Sequence, residues 1–167
     1  MRFDRFTIKS QEVIQQAQSL AAQYGNQQIE PEHLLSAMIA DREGTAVAIL
    51  RKLGVEPDGV AAEVLRGVER LPKVSGAGMG EAYLSGRSKA VLEAAFAGAT
   101  QMKDEYVSVE HILLAIIEEK GGEAGRILSR AGLTREAVFK ALQDIRGSQR
   151  ITDPNPEEKY QALKRFS

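Results

Sequence analysis

The sequence contains one segment twice. Residues 28–39, QIEPEHLLSAMI, return as residues 106–117, YVSVEHILLAII, and His111 follows His33 by 78 residues. The same spacing holds without a gap along almost the whole of both halves, so that Gly54 aligns with Gly132 and Val60 with Val138. Such a regular duplication predicts two copies of one structural unit, and it allows each surface site to exist in two divergent versions.

Each copy has the apolar spacing of four helices. Thr7 and Ser85 are suitable N-caps for the first helix of each copy, and Pro31 is a favoured first residue for the second helix. No stretch alternates with a period of two for long enough to predict a strand. We therefore predict an all-α fold of eight helices, in which two four-helix units form one compact domain with a pseudo-twofold axis.

The unrepeated stretches set the expected boundaries. We predict a repeat domain over 1–146, with repeat one at about 6–71, repeat two at about 84–146 and a glycine-containing joining loop at 72–83. Residues 147–167 are polar and interrupted by proline, which indicates a linker rather than core. Two copies that pack together bury far more surface than one alone, which favours a single domain.

The composition excludes several classes of partner. The 167 residues carry a net charge of −1 and no cysteine, and 43% of them are apolar. We expect no binding to nucleic acid and no disulfide framework. The N-terminus has no signal-peptide core and no apolar run reaches membrane-spanning length, so we expect a cytoplasmic domain with no membrane partner.

The motifs of common enzymes are missing from the sequence. No Gly-Lys dipeptide exists for a phosphate loop, and no Gly-x-Ser-x-Gly elbow or cysteine nucleophile occurs. His33 and His111 each follow a glutamate but lack the second histidine of a zincin helix. We therefore expect no catalytic residue, no metal and no cofactor in this chain. We interpret the histidines as structural. The alternative is an enzyme that uses His33 and His111 together with the glutamates that precede them.

The acids at the start of the second helix of each copy allow two interpretations. Glu32 and Glu110 lie in a first helical turn, where a carboxylate stabilises the helix dipole by about 0.3–1 kcal/mol. Alternatively, they flank an exposed groove and bind basic or amide groups of a partner. Asp104 aligns with Asn26 and Glu105 with Gln27, so the acidic edge belongs to the second copy alone.

Several segments in order resemble a known family. Residues 6–12 (FTIKSQE), 29–35 (IEPEHLL) and 106–111 (YVSVEH) are similar to the doubled repeat of Clp ATPase N-terminal domains. Residues 70–76 (RLPKVSG), 83–85 (YLS) and 161–166 (QALKRF) resemble the ClpB type of disaggregase rather than the ClpA or ClpC types. The resemblance covers essentially the entire chain.

The resemblance implies a function that spacing alone does not give. In the ClpB family this domain lies on the rim of a hexameric AAA+ ring and engages unfolded or aggregated polypeptide before threading. ATPase modules, with their ATP and Mg²⁺, are then expected after Ser167, and the isolated domain is expected to be a monomer. Family residues for substrate binding carry over to Thr7, Asp104 and Glu110. The groove residues that we expect beside them are Ile8, Leu84, Val91 and Leu92, of which the last two also fit the core.

A second function follows from the ClpC-type relatives. There, acids at the positions of Glu32 and Glu110 bind an adaptor protein or phosphoarginine. This chain has both glutamates, but Pro31 and Val109 replace the Gly-Thr-like residues that precede them in ClpC-type repeats. A regulatory docking domain is therefore the alternative hypothesis to a client-binding domain.

Overall fold

The fold is all-α, as predicted. The computed structural model describes residues 3–74, 81–147 and 149–157. Within these residues, a 3₁₀ turn at Phe3–Arg5 precedes eight helices: α1 (Ile8–Gln23), α2 (Pro31–Ala40), α3 (Thr45–Lys52), α4 (Pro57–Glu69), α5 (Gly86–Gln101), α6 (Val109–Glu118), α7 (Glu123–Arg130) and α8 (Arg135–Arg146). No helix in the described ranges is long and apolar enough to cross a membrane.

The predicted caps start the helices. The Thr7 hydroxyl accepts a hydrogen bond from the Ser10 amide at 3.1 Å, and the Ser85 hydroxyl accepts one from the Ser88 amide at the same distance. Pro31 is the first residue of α2, where its missing N–H costs nothing. α4 ends at Glu69, two residues before the predicted end of repeat one at about residue 71.

Two short strands were not predicted. β1 (Gln28–Ile29) pairs in parallel with β2 (Tyr83–Leu84), and Phe6 forms an isolated parallel bridge with Val107. Phe6 aligns with Leu84 and Val107 with Ile29, so the two pairings are equivalent under the pseudo-twofold axis. A strand of two residues has no periodicity to detect, which explains why the pattern missed both pairings.

The two copies exchange contacts and share one core. In each copy the first helix packs on the second, as α1 does on α2 and α5 on α6. Between the copies, α4 packs on α7 and α3 on α8, so each fourth helix contacts the third helix of the other copy. A single cluster of buried apolar side chains runs through both. The predicted single domain is confirmed.

Residues 149–157 lie against the domain, and we call this segment the strap. The side chain of Ile151 has no exposed surface, although the polar composition of 147–167 gave no indication of a buried residue. Its amide donates to Asp104 Oδ1 at 2.9 Å, and its carbonyl accepts from the Glu105 amide at 2.7 Å. The domain boundary at 146 stays a prediction. The glycines of the joining loop at 76, 78 and 80 and residues 158–167 lie outside the described residues.

Candidate functional site

The two histidines have the same structural position. His33 Nδ1 accepts a hydrogen bond from the Glu30 amide at 2.8 Å, and His111 Nδ1 accepts one from the Ser108 amide at 2.9 Å. With Nδ1 as acceptor, Nε2 carries the proton and donates onward. His33 Nε2 meets Asn26 Oδ1 at 2.9 Å, whereas His111 Nε2 meets Asp104 Oδ2 at 2.8 Å.

Both imidazoles join a helix start to the preceding loop. Burial lowers the pKa of His33 to about 4, so this ring is neutral at physiological pH. No group of three or more potential ligands that could hold a metal occurs in the described parts of the chain. The hydrogen bonds give each histidine a structural role at the start of its helix.

Asp104 is where the second copy departs from the first. Asn26, its counterpart, donates through Nδ2 to the Pro72 carbonyl at 3.0 Å. Asp104 Oδ1 instead accepts from Arg146 Nη2 at 2.7 Å as well as from the Ile151 amide. Burial alone would raise the pKa of Asp104, but hydrogen bonds from His111, Arg146 and Ile151 lower it to about 2. Asp104 is therefore a permanent buried anion.

Arg146 and Glu110 extend this network. The Arg146 side chain is 3% exposed and occupies the position of Val68 in the first copy. Its Nη1 lies 3.5 Å from Glu110 Oε2, and the Glu110 side chain is completely buried. Neither carboxylate oxygen of Glu110 has a hydrogen-bond partner. A buried carboxylate without hydrogen bonds is costly, so Glu110 is the least satisfied member of the network.

Thr7 and the strap complete the network. The Thr7 hydroxyl donates to Glu157 Oε1 at 2.8 Å, and Glu157 Oε2 has no hydrogen-bond partner. Burial raises the pKa of Glu157 to about 7, the nearby Glu110 carboxylate acts in the same direction, and the Thr7 hydrogen bond opposes both. Thr7, Asp104, Glu110, His111, Arg146 and Glu157 are called the Asp104 network below.

The first copy uses its acids differently. Arg87 donates to both oxygens of Glu32 at 3.2 and 3.1 Å and to both oxygens of Glu119 at 2.9 and 2.8 Å. The Ala124 amide also donates to Glu32 at 3.2 Å. The hydrogen bond to Glu119 raises the pKa of Arg87, burial opposes it, and Glu32 adds to it. These contacts satisfy Glu32, and Glu32, Arg87 and Glu119 are called the Arg87 cluster.

An open groove lies between α1 and the end of α2. Its volume is about 730 Å³, and Val109 and Glu157 line it, which connects it to the Asp104 network. Charged residues of its wall include Lys9, Glu12 and Asp41, and apolar ones include Val13, Ala37 and Met38. Lys9 aligns with Arg87 and Asp41 with Glu119. Lys9 lies 4.0 Å from Asp41, so it makes a weaker contact than the Arg87 fork in the other copy.

The structure brings together three of the residues expected to bind substrate. Thr7 and Glu110 have no exposed surface and Asp104 has 7%, so all three lie beneath the surface. Their assignment to substrate binding stays a prediction. Glu32 and Glu110 are both buried beside arginines of their own chain, and an adaptor or phosphoarginine would have to displace Arg87 or Arg146.

The residues expected to line an apolar groove separate. Ile8 is 45% exposed, and its amide donates to the Pro154 carbonyl at 2.8 Å. Leu84 is half-buried in the pairing with Ile29. Val91 and Leu92 are in the core and are at most 3% exposed. Helical spacing places both in the apolar stripe of α5, so their assignment to a groove is wrong in this structure.

Sequence reasoning missed three residues. Arg146 had a detectable signal, since the repeat alignment sets an arginine against Val68, a core residue that is completely buried. Arg87 aligns with Lys9 and looked like an ordinary surface cation. Glu157 is in a polar tail whose counterpart, residue 79, lies outside the described residues, and no signal identifies it.

Known proteins share this chain's sequence and fold. A family model described as "Clp repeat (R) N-terminal domain" matches residues 5–131. The chaperone protein ClpB of Nitratidesulfovibrio vulgaris is 40% identical over 99% of this chain and 20% of its own length. ClpB of Porphyromonas gingivalis is 40% identical over the whole chain and 19% of its own length. The crystal structure of the Hsp104 N-terminal domain from Candida albicans has a TM-score of 0.77 at 28% identity and covers 91% of this chain and 98% of its own. The chain therefore spans about a fifth of the length of these curated relatives.

Proposed function

The chain belongs to the family of Clp repeat (R) N-terminal domains, and from this membership we propose that it binds client polypeptide for a ClpB-type AAA+ disaggregase. Clients are unfolded or aggregated segments, which the domain delivers to an attached hexameric ATPase ring for threading. Nucleotide and Mg²⁺ then belong to the ATPase modules. In this proposal the domain has a binding function and no catalytic one.

The observation that carries the proposal is the groove beside the Asp104 network. Thr7, Asp104 and Glu110, the residues implied by the family, converge on one network, and its edge at Val109 and Glu157 opens into the groove of about 730 Å³. A groove of this volume is in the range that binds small or extended ligands. Its wall mixes apolar and charged side chains.

The chemistry of the groove favours weak and permissive recognition. Val13, Ala37 and Met38 offer apolar contact, and methionine adapts to ligands of different shape. Charges of both signs on the wall, such as Lys9, Glu12 and Asp41, give no strong preference for a charged client. A domain that meets many unfolded sequences needs this combination of modest affinity and low selectivity.

The proposal is tested with one protein in two states. Reduced and carboxymethylated α-lactalbumin is a permanently unfolded probe, and native α-lactalbumin is its folded control. We expect the unfolded probe to shift amide resonances along the groove and at the Asp104 network, and the folded control to shift none. Shifts confined to the Arg87 cluster or to the far side of α5 would contradict the proposed site.

A pair of substitutions on α1 sharpens this test. Gln16 is exposed and lines the groove, whereas Ser19 is exposed on α1 and is not part of the groove wall. Gln16→Trp should narrow the groove and weaken binding of the unfolded probe by at least about fivefold. Ser19→Trp adds the same indole outside the groove and should leave the affinity unchanged. Equal effects of the two variants would exclude the groove as the binding site.

A further inference from the structure

The strap is held largely through its backbone. The Ile151 amide donates to Asp104 Oδ1, the Ile151 carbonyl accepts from the Glu105 amide, and the Pro154 carbonyl accepts from the Ile8 amide. These bonds use the main chain of the strap, which bends at residues 153–154 and is helical at 156–157, so another segment with the same backbone course can form them regardless of its sequence. Addition of an extended segment to the backbone of a receptor is a common mode of peptide recognition.

Two side chains anchor the strap, one of them apolar and fully buried and the other a buried carboxylate. Ile151 has no exposed surface and provides an apolar anchor. Glu157 is 5% exposed, and its Oε1 accepts a hydrogen bond from Thr7, while the backbone amides of Val109 and Glu157 also stabilise its carboxylate. Burial and the Glu110 carboxylate raise the pKa of Glu157 to about 7. Near neutral pH the Glu157 carboxylate is therefore partly charged, and it lies beside the buried carboxylate of Glu110.

The first copy provides an internal reference. There the segment after α4 passes Asn26 in the same way, with the Asn26 amide donating to the Pro72 carbonyl and the Val74 amide donating to the Gly25 carbonyl. Asn26 and Asp104 occupy equivalent positions in the two copies. Of these two residues, only Asp104 offers a carboxylate to a backbone amide of the segment that follows the fourth helix. The second copy therefore holds its following segment through a carboxylate, whereas the first copy holds its own through a side-chain amide.

We propose that the strap is an intramolecular ligand, which occupies the cleft of Thr7, Asp104 and Glu110 as an extended client segment does, and which a client displaces on binding. This inference rests on the proposed function, because it concerns how clients reach the Asp104 network beside the groove. The preferred client segment follows the backbone course of the strap and has a β-branched apolar residue in the place of Ile151. The strap contacts Thr7 through Glu157 and Asp104 through Ile151, so it contributes to the burial of both until a client arrives.

Two substitutions in the strap should change client affinity in opposite directions. Ile151→Ser removes the apolar anchor and frees the cleft, so binding of carboxymethylated α-lactalbumin should tighten by about tenfold. Glu157→Gln keeps the acceptor for Thr7 and adds donors toward Glu110, so it should hold the strap more firmly and weaken client binding severalfold. Thr152→Ser, at an exposed position of the strap, is the control and should change nothing.

A second measurement remains valid if Ile151→Ser loosens the fold. A synthetic peptide with the sequence of residues 149–157 should bind the Ile151→Ser variant and compete with the unfolded probe there. Wild-type protein, with its cleft already filled, should bind this peptide at least about tenfold more weakly. The same peptide with serine in place of isoleucine should bind neither protein.

The outcomes separate the two proposals. If wild-type protein and all strap variants bind the unfolded probe with equal affinity, and the probe shifts groove resonances, the client-binding function stands and the strap inference is wrong. If the peptide binds the Ile151→Ser variant but the unfolded probe binds no form of the protein, the strap is an intramolecular ligand and the client-binding function is wrong. Tighter binding by Glu157→Gln would also overturn the strap inference.

Discussion

The two copies share a scaffold and differ in how their buried acids are satisfied. In the first copy, Glu32 accepts hydrogen bonds from Arg87 and from the Ala124 amide. In the second copy, the equivalent Glu110 has no hydrogen bond and lies near Arg146 and Glu157. Duplication kept the apolar positions, the helix caps and the histidine contacts. Divergence left the acid of the first copy satisfied and the acid of the second copy without a hydrogen bond, beside the strap and next to a groove whose wall comes mostly from α1 and α2.

The substitution with the largest expected effect on the difference between the copies is Asp104→Asn, which gives the second copy the residue that the first copy has at Asn26. Asp104→Asn keeps the shape but cannot accept from Arg146, Ile151 and His111 together, because one of its ends is a donor. Arg146 would then be a buried cation that has lost the carboxylate at 2.7 Å, with Glu110 at 3.5 Å. We expect the free energy of unfolding to fall by about 3–5 kcal/mol, measured by urea denaturation.

The control for this variant is the next residue. Glu105→Gln removes the same charge from an exposed side chain whose backbone alone joins the strap. Surface substitutions of this kind change stability by less than about 0.5 kcal/mol. If the free energy of unfolding falls equally in Asp104→Asn and Glu105→Gln, the buried network contributes nothing beyond net charge. The difference between the copies would then not contribute to stability.

The fold could be predicted from the sequence because its determinants are local and repeated. Apolar spacing and the caps at Thr7 and Ser85 specify the helices, and the spacing of 78 residues specifies the second copy once the first is read. The strand pairings involve two residues each and join segments far apart in sequence. They are set by the packing of the copies, which no local pattern contains.

The site was predicted only in part, for a physical reason. The resemblance to Clp repeat domains points to Thr7, Asp104 and Glu110, but it does not show that they are buried, because burial depends on Arg146 and on a strap from the other end of the chain. Periodicity places Val91 and Leu92 in the core, whereas the groove implied by the family resemblance admits them as lining residues. Periodicity was right, since an apolar stripe on α5 is buried wherever another helix covers it.

A second test compares the equivalent glutamates directly. Glu32→Gln removes one acceptor from a carboxylate that receives three hydrogen bonds, so we expect a loss of about 1–2 kcal/mol. Arg87 is 39% exposed and keeps Glu119, which limits the loss. Glu110→Gln removes a buried charge that receives no hydrogen bond, and it should change stability by less than about 1 kcal/mol.

Urea denaturation of both variants with matched m-values makes this comparison. A greater loss for Glu110→Gln than for Glu32→Gln would show that the ion pair with Arg146 satisfies Glu110 fully. The second copy would then be as closed as the first, and the asymmetry on which the strap inference depends would disappear.

The smallest expected effect is a pH dependence of opposite sign in the two copies. The pKa of His33 is lowered from 6.5 to about 4, so the unfolded chain binds the extra proton between these values and the first copy loses stability as pH falls from 6.5 to 4. The pKa of Glu157 is raised from 4.5 to about 7, so the docked strap binds the extra proton, and docking weakens as pH rises from 4.5 to 7.

Hydrogen exchange at single amides can resolve these signs. After correction for intrinsic exchange, protection of the Ile151 amide should rise between pH 7.5 and pH 5, with a slope of up to tenfold per pH unit for one proton. Protection of the Glu30 amide, which donates to His33, should fall as the pH drops below 6.5. Glu157→Gln should abolish the pH dependence of protection at the Ile151 amide and leave that at the Glu30 amide.

Glu110 of α6 faces Glu157, and Lys9 and Glu12 of α1 share its groove. If the pH dependence at the Ile151 amide persists in Glu157→Gln, it belongs to those groups. The weaker docking above pH 7 is the state in which a client displaces the strap most easily, so the unsatisfied acid pair makes the second copy the one that opens.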